Sequence, residues 1–175
     1  MIPQHYTIEE GALFGGEYPG ATKSNIAKAR LRHLLSIGVR TFIDLTTPAD
    51  QMEPYECFFA ELEREVAMPL RRISLPIPDM RIPDAVGTMR EIMGSVRKSI
   101  VQAPAVYIHC WGGIGRTGTV VGCWLRERGY DADSALKRVQ HLYSSQMPKS
   151  RIQQQSPQTP EQRNYVRCWV PKSSN

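Results

Sequence analysis

Cys110 and Arg116 stand at the two ends of Cys110-Trp111-Gly112-Gly113-Ile114-Gly115-Arg116, separated by five residues, three of them glycine. Glycine lets successive backbone N–H groups turn inward without a Cβ clash. A nest of such amides fits a tetrahedral oxyanion. Arg116 adds a planar fork matched to two phosphate oxygens. A free thiol is mostly protonated at neutral pH. A helix N-terminus and a nearby cation both favour the thiolate, which is the nucleophilic form. The stretch therefore pairs a phosphate cradle with a nucleophile at its mouth.

Such a cradle needs a strand to carry it in and a helix to receive it. Ala105 to His109 is a continuously apolar run, as expected for the middle strand of a helix-covered sheet. Arg116 to Arg128 reads as a helix, apolar on most sides. Gly118 and Gly122 share one of its faces and are expected to let it lie close to the sheet. Gly129 ends it, and Asp131 caps a further helix running to about Ser145.

Upstream, Ala12-Leu13-Phe14 reads as a short edge strand running into a turn at Gly15 to Gly20. Ser24 to Ile37 suits a helix with Ile26, Leu31, Leu34, Leu35 and Ile37 inward and Gly38 as its stop. Val39 to Leu45 is a strand. Pro54 opens a helix through Glu65, with Cys57, Phe58, Leu62 and Val66 inward. Leu70 to Leu75 alternates apolar and basic residues, the pattern of a strand with one wet face. After the loop Pro76 to Ile82, Pro83 starts a long helix with Val86, Met89, Met93, Val96 and Ile100 inward. Residues 146–158 form a Gln-, Ser- and Pro-rich loop. Thr159-Pro160-Glu161-Gln162 has the form of a capping box opening the last helix. Strands alternating with helices predict an α/β fold: a central, mostly parallel sheet of four to five strands flanked by helices.

The 175 residues make one domain, 1–175, large enough to bury a core. No apolar run approaches the about 20 residues a membrane span needs. Neither the start, Met1-Ile2-Pro3-Gln4-His5, nor the end, Lys172-Ser173-Ser174-Asn175, carries a signal or lipidation pattern, so a cytoplasmic monomer is expected. The net charge of +5 favours anionic partners, but the arginines are scattered and no basic block with aromatics points to nucleic acid. The four cysteines form no Cys-x-x-Cys pair, which argues against zinc. Cys57, Cys123 and Cys168 read as buried core thiols, with a redox pairing to Cys110 as the other possibility.

His109-Cys110-x-x-Gly113-x-x-Arg116-Thr117-Gly118 resembles the signature of the cysteine-dependent protein phosphatases, which implies a protein-tyrosine-phosphatase-like fold. It is most similar to their dual-specificity branch, and the Gly-Gly-Ile-Gly interior is similar to the kinase-associated phosphatase group. A nucleotide P-loop needs Gly and Lys where Cys110 and Arg116 stand. The rhodanese loop is typically one residue shorter. The resemblance implies a two-step reaction without metal or other cofactor. Cys110 attacks phosphorus, while Arg116 and the amides of Trp111, Gly112, Gly113, Ile114, Gly115 and Arg116 hold the equatorial oxygens. Thr117 hydrogen-bonds the departing thiolate, and His109 orients the loop.

A carboxylic acid must protonate the leaving oxygen. Ile77-Pro78-Asp79 resembles the family's Trp-Pro-Asp loop, which makes Asp79 the acid. Asp84, after Pro83, fits a structural place in the first turn of a helix. Gln158-Thr159-Pro160-Glu161-Gln162 resembles the segment of tyrosine-specific phosphatases whose first Gln positions the hydrolytic water. That implies Gln158 in this role; Gln162 has a structural reading as the partner of Thr159. The implied partner is a phosphorylated protein or peptide, with phosphotyrosine included and phosphoserine and phosphothreonine accepted by a shallow pocket. The loop interior carries no lysine, which disfavours highly charged phosphoinositides. The other readings are a phosphatase of a small metabolite, a sugar phosphate, a phosphoinositide or an RNA 5′ end, and a phosphopeptide-binding module without turnover.

Overall fold

The computed structural model describes residues 2–171, so Met1 and the stretch Lys172 to Asn175 lie outside the described residues. Five strands form one sheet in the order β1-β2-β5-β3-β4. These are β1 (His5–Glu9), β2 (Leu13–Gly16), β3 (Val39–Asp44), β4 (Arg71–Ser74) and β5 (Ala105–His109). Only β1 and β2 pair antiparallel; β2–β5, β5–β3 and β3–β4 are parallel. Helices α1 (Ser24–Ser36) and α2 (Phe59–Val66) cover one face. On the other lie α3 (Val86–Gln102), α4 (Gly115–Glu127), α5 (Ala132–Gln146) and α6 (Pro160–Cys168).

Strand alternation divides the core in two. Val106 and Ile108 of β5 and Ile43 of β3 pack with α3, α4 and α5. Ala105 and Tyr107 of β5 and Phe42 of β3 pack with Leu31, Leu34 and Leu62 of α1 and α2. Every residue of β5 is buried, as the apolar run predicts. The parallel strands bring their C-terminal ends to one edge, where ligands bind in open α/β sheets.

Several local expectations need correction. Leu13–Gly16 is an interior strand, and the edge is β1, whose polar sequence gave little sign of it. Gly15 and Gly16 belong to β2 rather than to a turn. A Cβ on Gly15 would come within 3.0 Å of the Tyr6 ring, and one on Gly16 within 2.6 Å of the Gln4 carbonyl and against the Tyr107 hydroxyl. The glycines are there for close approach, not for chain reversal. The segment after Pro54 begins as a 3-10 turn (Glu56–Phe58), and only Phe59–Val66 is α-helical. That phase leaves Cys57 exposed; Cys168 is exposed as well, and only Cys123 of the three is a core thiol.

Helix α3 begins at Val86, not Pro83, and Val86 is exposed while Met89, Met93 and Val96 are fully buried. Asp84 therefore precedes the helix and is exposed rather than sitting in its first turn. Gly118 and Gly122 do not face the sheet. A Cβ at 118 would strike Ser156 and lie 3.3 Å from Pro157; one at 122 would lie 2.7 Å from Val166 of α6. The two glycines dock the C-terminal segment against α4. The loop after α5 contains a 3-10 turn, Pro148–Arg151. Asp131 caps α5 through the N–H groups of Asp133 and Ser134, and Thr159 caps α6, as expected.

Two glycines should respond to alanine in opposite directions. Gly94, within α3, has open space around a Cβ. Gly94→Ala should raise the urea unfolding free energy by about 0.5–1 kcal/mol. Gly16→Ala should lower it by about 1–3 kcal/mol, because the added methyl overpacks rigid backbone.

Candidate active site

The thiol loop runs from the end of β5 into α4. Cys110 is 3% exposed. The loop carbonyls are engaged away from it. Trp111 O accepts from Tyr18 N–H at 3.1 Å, Gly112 O from Lys149 Nζ at 3.2 Å, and Ile114 O from the Ser156 hydroxyl at 2.8 Å. Lys149 is itself ion-paired to Glu17. With the carbonyls so held, an amide edge is left for the thiol: Gly113 N–H donates to Cys110 Sγ at 3.3 Å. Gly113 has φ +73°, and a Cβ there would lie 2.6 Å from the Gly16 carbonyl oxygen. This position requires glycine twice over, by backbone angle and by space.

Arg116 is the most constrained polar group of the site. It is 2% exposed. Asp50 grips it bidentately, with Nη1 and Nη2 each donating at 2.8 Å. Asp79 Oδ1 is 2.9 Å from Nη2, and the carbonyls of Ile77 and Leu45 accept from Nη1 at 3.2 and 3.5 Å. Asp50 was not identified from the sequence. It closes the 3-10 turn Pro48–Asp50, where its carboxylate accepts from Thr47 N–H at 2.7 Å and the Thr47 hydroxyl at 3.0 Å. The Thr47-Pro48-x-Asp50 pattern is a capping signature that could have exposed it.

Asp79 comes over the thiol loop from the segment after β4. That segment is anchored by Ile77, which is fully buried and whose N–H donates to Leu45 O at 3.0 Å. Met80 follows with φ +59°, and Arg81 N–H closes a turn onto Pro78 O at 3.1 Å. Asp79 is 63% exposed and shares one pocket, of about 190 Å³, with Cys110, Arg116, Met80, Trp111 and Gln158. Asp84 does not line it.

Behind the loop, His109 is fully buried. Its Nε2 lies 2.8 Å from the Tyr55 hydroxyl, and Nδ1 lies 3.7 Å from Asp44. Burial lowers its pKa to about 4, against the opposing pull of Asp44, so the ring is neutral at pH 7. Asp44 is held by Thr46 and by Arg72 Nε at 2.9 Å. Thr117 is fully buried, and its hydroxyl makes no hydrogen bond among the described residues, so the bond to sulfur implied for it is not formed in this state. Gln158 lines the thiol pocket. Gln162 closes the capping box, and it also donates to Arg81 O, which sequence reasoning missed.

The Asp50 carboxyl is held down at about 2 from its ordinary 3.8, chiefly by its hydrogen bonds from Arg116. A carboxyl depressed in the fold stabilises it above the unfolded value and loses that stabilisation as pH falls from about 3.8 to about 2. Asp50→Asn should therefore lower stability by about 2–3 kcal/mol at neutral pH, since a buried guanidinium loses its main partner. Urea titrations across that acid window should show the variant losing less than the parent on acidification.

The fold has relatives among known proteins. The family described as "Swiss Army Knife protein, DSP-PTPase phosphatase domain" matches residues 18–166. The crystal structure of Tk-PTP in its active form is 25% identical, with a TM-score of 0.68 over 94% of each chain. Kinase associated phosphatase, with its catalytic-site cysteine changed to serine, is 20% identical at a TM-score of 0.68, over 94% of this chain and 90% of that one. The core catalytic domain of the PP-IP phosphatase SIW14 from S. cerevisiae is 13% identical at 0.64, over 99% and 90%. The cradle at Cys110 thus sits in a fold shared with phosphatases, and the chain belongs to the PTP-SAK family of dual-specificity-phosphatase-like domains within the cysteine-dependent phosphatase superfamily.

Proposed function

We propose that this protein hydrolyses phosphate monoesters on proteins through a cysteinyl-phosphate on Cys110, with phosphotyrosine as a substrate. One observation carries the reading: a thiol, a buried guanidinium and an exposed carboxylate line a single small pocket. The Cys110 thiolate attacks phosphorus in line, and the S–P bond forms as the ester P–O bond breaks. Arg116 and the loop amides hold the three equatorial oxygens, where charge gathers. Asp79 delivers a proton to the leaving oxygen. Its carboxylate then takes a proton from the water that hydrolyses the S–P bond, with Gln158 holding that water. Thr117, buried beside the loop with an unbonded hydroxyl, is placed in sequence to donate to the departing sulfur.

The pocket's charge supports a protein substrate over a polyphosphorylated one. Among the described residues Arg116 is the one cation lining it, and Asp50 and Asp79 already oppose that charge. The adjoining groove, of about 380 Å³, is lined by Thr47, Ala49, Asp50, Pro78, Asp79 and Trp111, with no cation. Trp111 is 63% exposed and Met80 45%. These apolar groups flank the cradle where the aryl ring of a phosphotyrosine would lie. The fold is also that of SIW14, described as a PP-IP phosphatase, and of PTPMT1, solved with PI(5)P. The additional cations that several phosphates call for do not line this pocket. All four cysteines are free, which fits a reducing, cytoplasmic setting. No helix among the described residues is long and apolar enough to cross a membrane.

Hydrolysis of p-nitrophenyl phosphate should vanish in Cys110→Ser. Phosphate release equal to the parent's in that variant would refute the mechanism. With a phosphotyrosine peptide, Asp79→Ala should reduce kcat by about 10²–10⁴-fold, whereas Asp84→Ala should leave it within a factor of about two of the parent, as expected of an exposed group that does not line the pocket. Trp111→Ala should raise KM for the same peptide about three- to tenfold, the worth of one aromatic stacking contact. A larger kcat/KM for an inositol polyphosphate than for any phosphopeptide would overturn the substrate assignment.

A further inference from the structure

Gln162 is fully buried, and its side-chain amide meets three segments of the site at once. Oε1 accepts from the N–H groups of Gln158 and Thr159, both at 3.1 Å. Nε2 donates to the Arg81 carbonyl at 3.1 Å. The same amide lies flat over the start of α4: a Cβ on Gly115 would be 2.9 Å from Oε1 and 3.0 Å from Nε2. A capping box accounts for the bond from Thr159 N–H to Oε1 and for nothing else. The Nε2 bond ties α6 to the acid loop, two residues beyond Asp79.

The two sides of Asp79 are held differently. Upstream, Ile77 is fixed by Leu45 O and by Arg116. Downstream, the chain reverses at Met80, and the bond from Gln162 to Arg81 O is the hold that follows. Asp79 itself leans on Arg116 Nη2. A phosphate entering the cradle competes for that guanidinium edge. Asp79 must leave Arg116 to reach the ester oxygen, and at that moment the turn needs an anchor that does not depend on Arg116.

We propose that Gln162 is a positioning residue that latches the acid loop in register with the thiol loop, so that Asp79 stays at the leaving oxygen once phosphate has taken Arg116. The proposal rests on the reading of Asp79 as the general acid. It makes the C-terminal helix part of the catalytic geometry: one amide spaces the acid loop, the N-terminus of α4 and the backbone of Gln158.

A latch that acts through Asp79 affects only the step in which a proton is needed. p-Nitrophenolate departs without one, and phenolate does not. kcat/KM on p-nitrophenyl phosphate and on phenyl phosphate should therefore be compared for Gln162→Glu, Gln162→Met, Asp79→Asn and Thr159→Ala. Gln162→Glu keeps the acceptor for both cap amides and removes the donor to Arg81. Gln162→Met keeps the volume without adding charge. Both should lose at least about tenfold more activity on phenyl phosphate than on p-nitrophenyl phosphate, in the same sense as Asp79→Asn. Thr159→Ala, which weakens the cap and spares the latch, should lose equally on both. A steep Asp79→Asn response beside flat responses from both folded Gln162 variants overturns the latch alone. A flat Asp79→Asn response overturns the acid assignment and the latch with it. Should either Gln162 variant fail to fold, the other decides, with its melting temperature matched against Thr159→Ala.

Discussion

A guanidinium that is 2% exposed has to be neutralised and hydrogen-bonded where it lies, because water is no longer there to do it. Arg116 meets that requirement with two carboxylates and two carbonyls drawn from two other loops. Asp50 comes from the turn after β3, Asp79 and Ile77 from the turn after β4, and Arg116 itself from the loop after β5. These loops leave the same edge of a parallel sheet. The buried charge thereby gathers them over one thiol, and the pocket is a by-product of solvating that charge with protein.

The sheet end beneath the loop repeats the logic with one neutral ring and one paired carboxylate. His109, stripped of water, is uncharged and hydrogen-bonded to Tyr55, while Asp44 is satisfied by Thr46 and Arg72. His109 O also accepts from Leu45 N–H, and Asp44 O from Leu75 N–H. These bonds set the starting points of all three loops before any side chain of the site is considered. Rigidity lies here in the backbone, whereas Asp79, the acid of the proposed reaction, is mostly exposed.

What the sequence made legible was local. The thiol loop, its strand and its helix follow from glycine spacing and apolar runs, and each is found in place. Asp131 and Thr159 announce their helices through side-chain oxygens next to backbone donors. The errors arose where tertiary contact overrode local pattern. Gly15 and Gly16 read as a turn until Tyr6 and Tyr107 are seen lying across them. Gly118 and Gly122 share a face, as their spacing requires, but that face meets Ser156, Pro157 and Val166 rather than the sheet. Cys57 reads as buried on a helical period, but the 3-10 turn that contains it changes the period and turns it outward. Asp50 and the second function of Gln162 were hidden for another reason. Each acts on a residue far along the chain, and spacing within a segment carries no trace of such a partner.

In the proposed reaction a phosphoryl group passes through Cys110. Rapid acid quenching of the Asp79→Ala protein during turnover of p-nitrophenyl phosphate, whose leaving group departs without a proton so that hydrolysis of the adduct is the slowed step, followed by mass spectrometry of the fragment that contains Cys110, traps that intermediate. A phosphate adduct on Cys110 that forms and decays at rates matching turnover is the expected result. Steady turnover with the Cys110 fragment unmodified at every quench time would contradict the account.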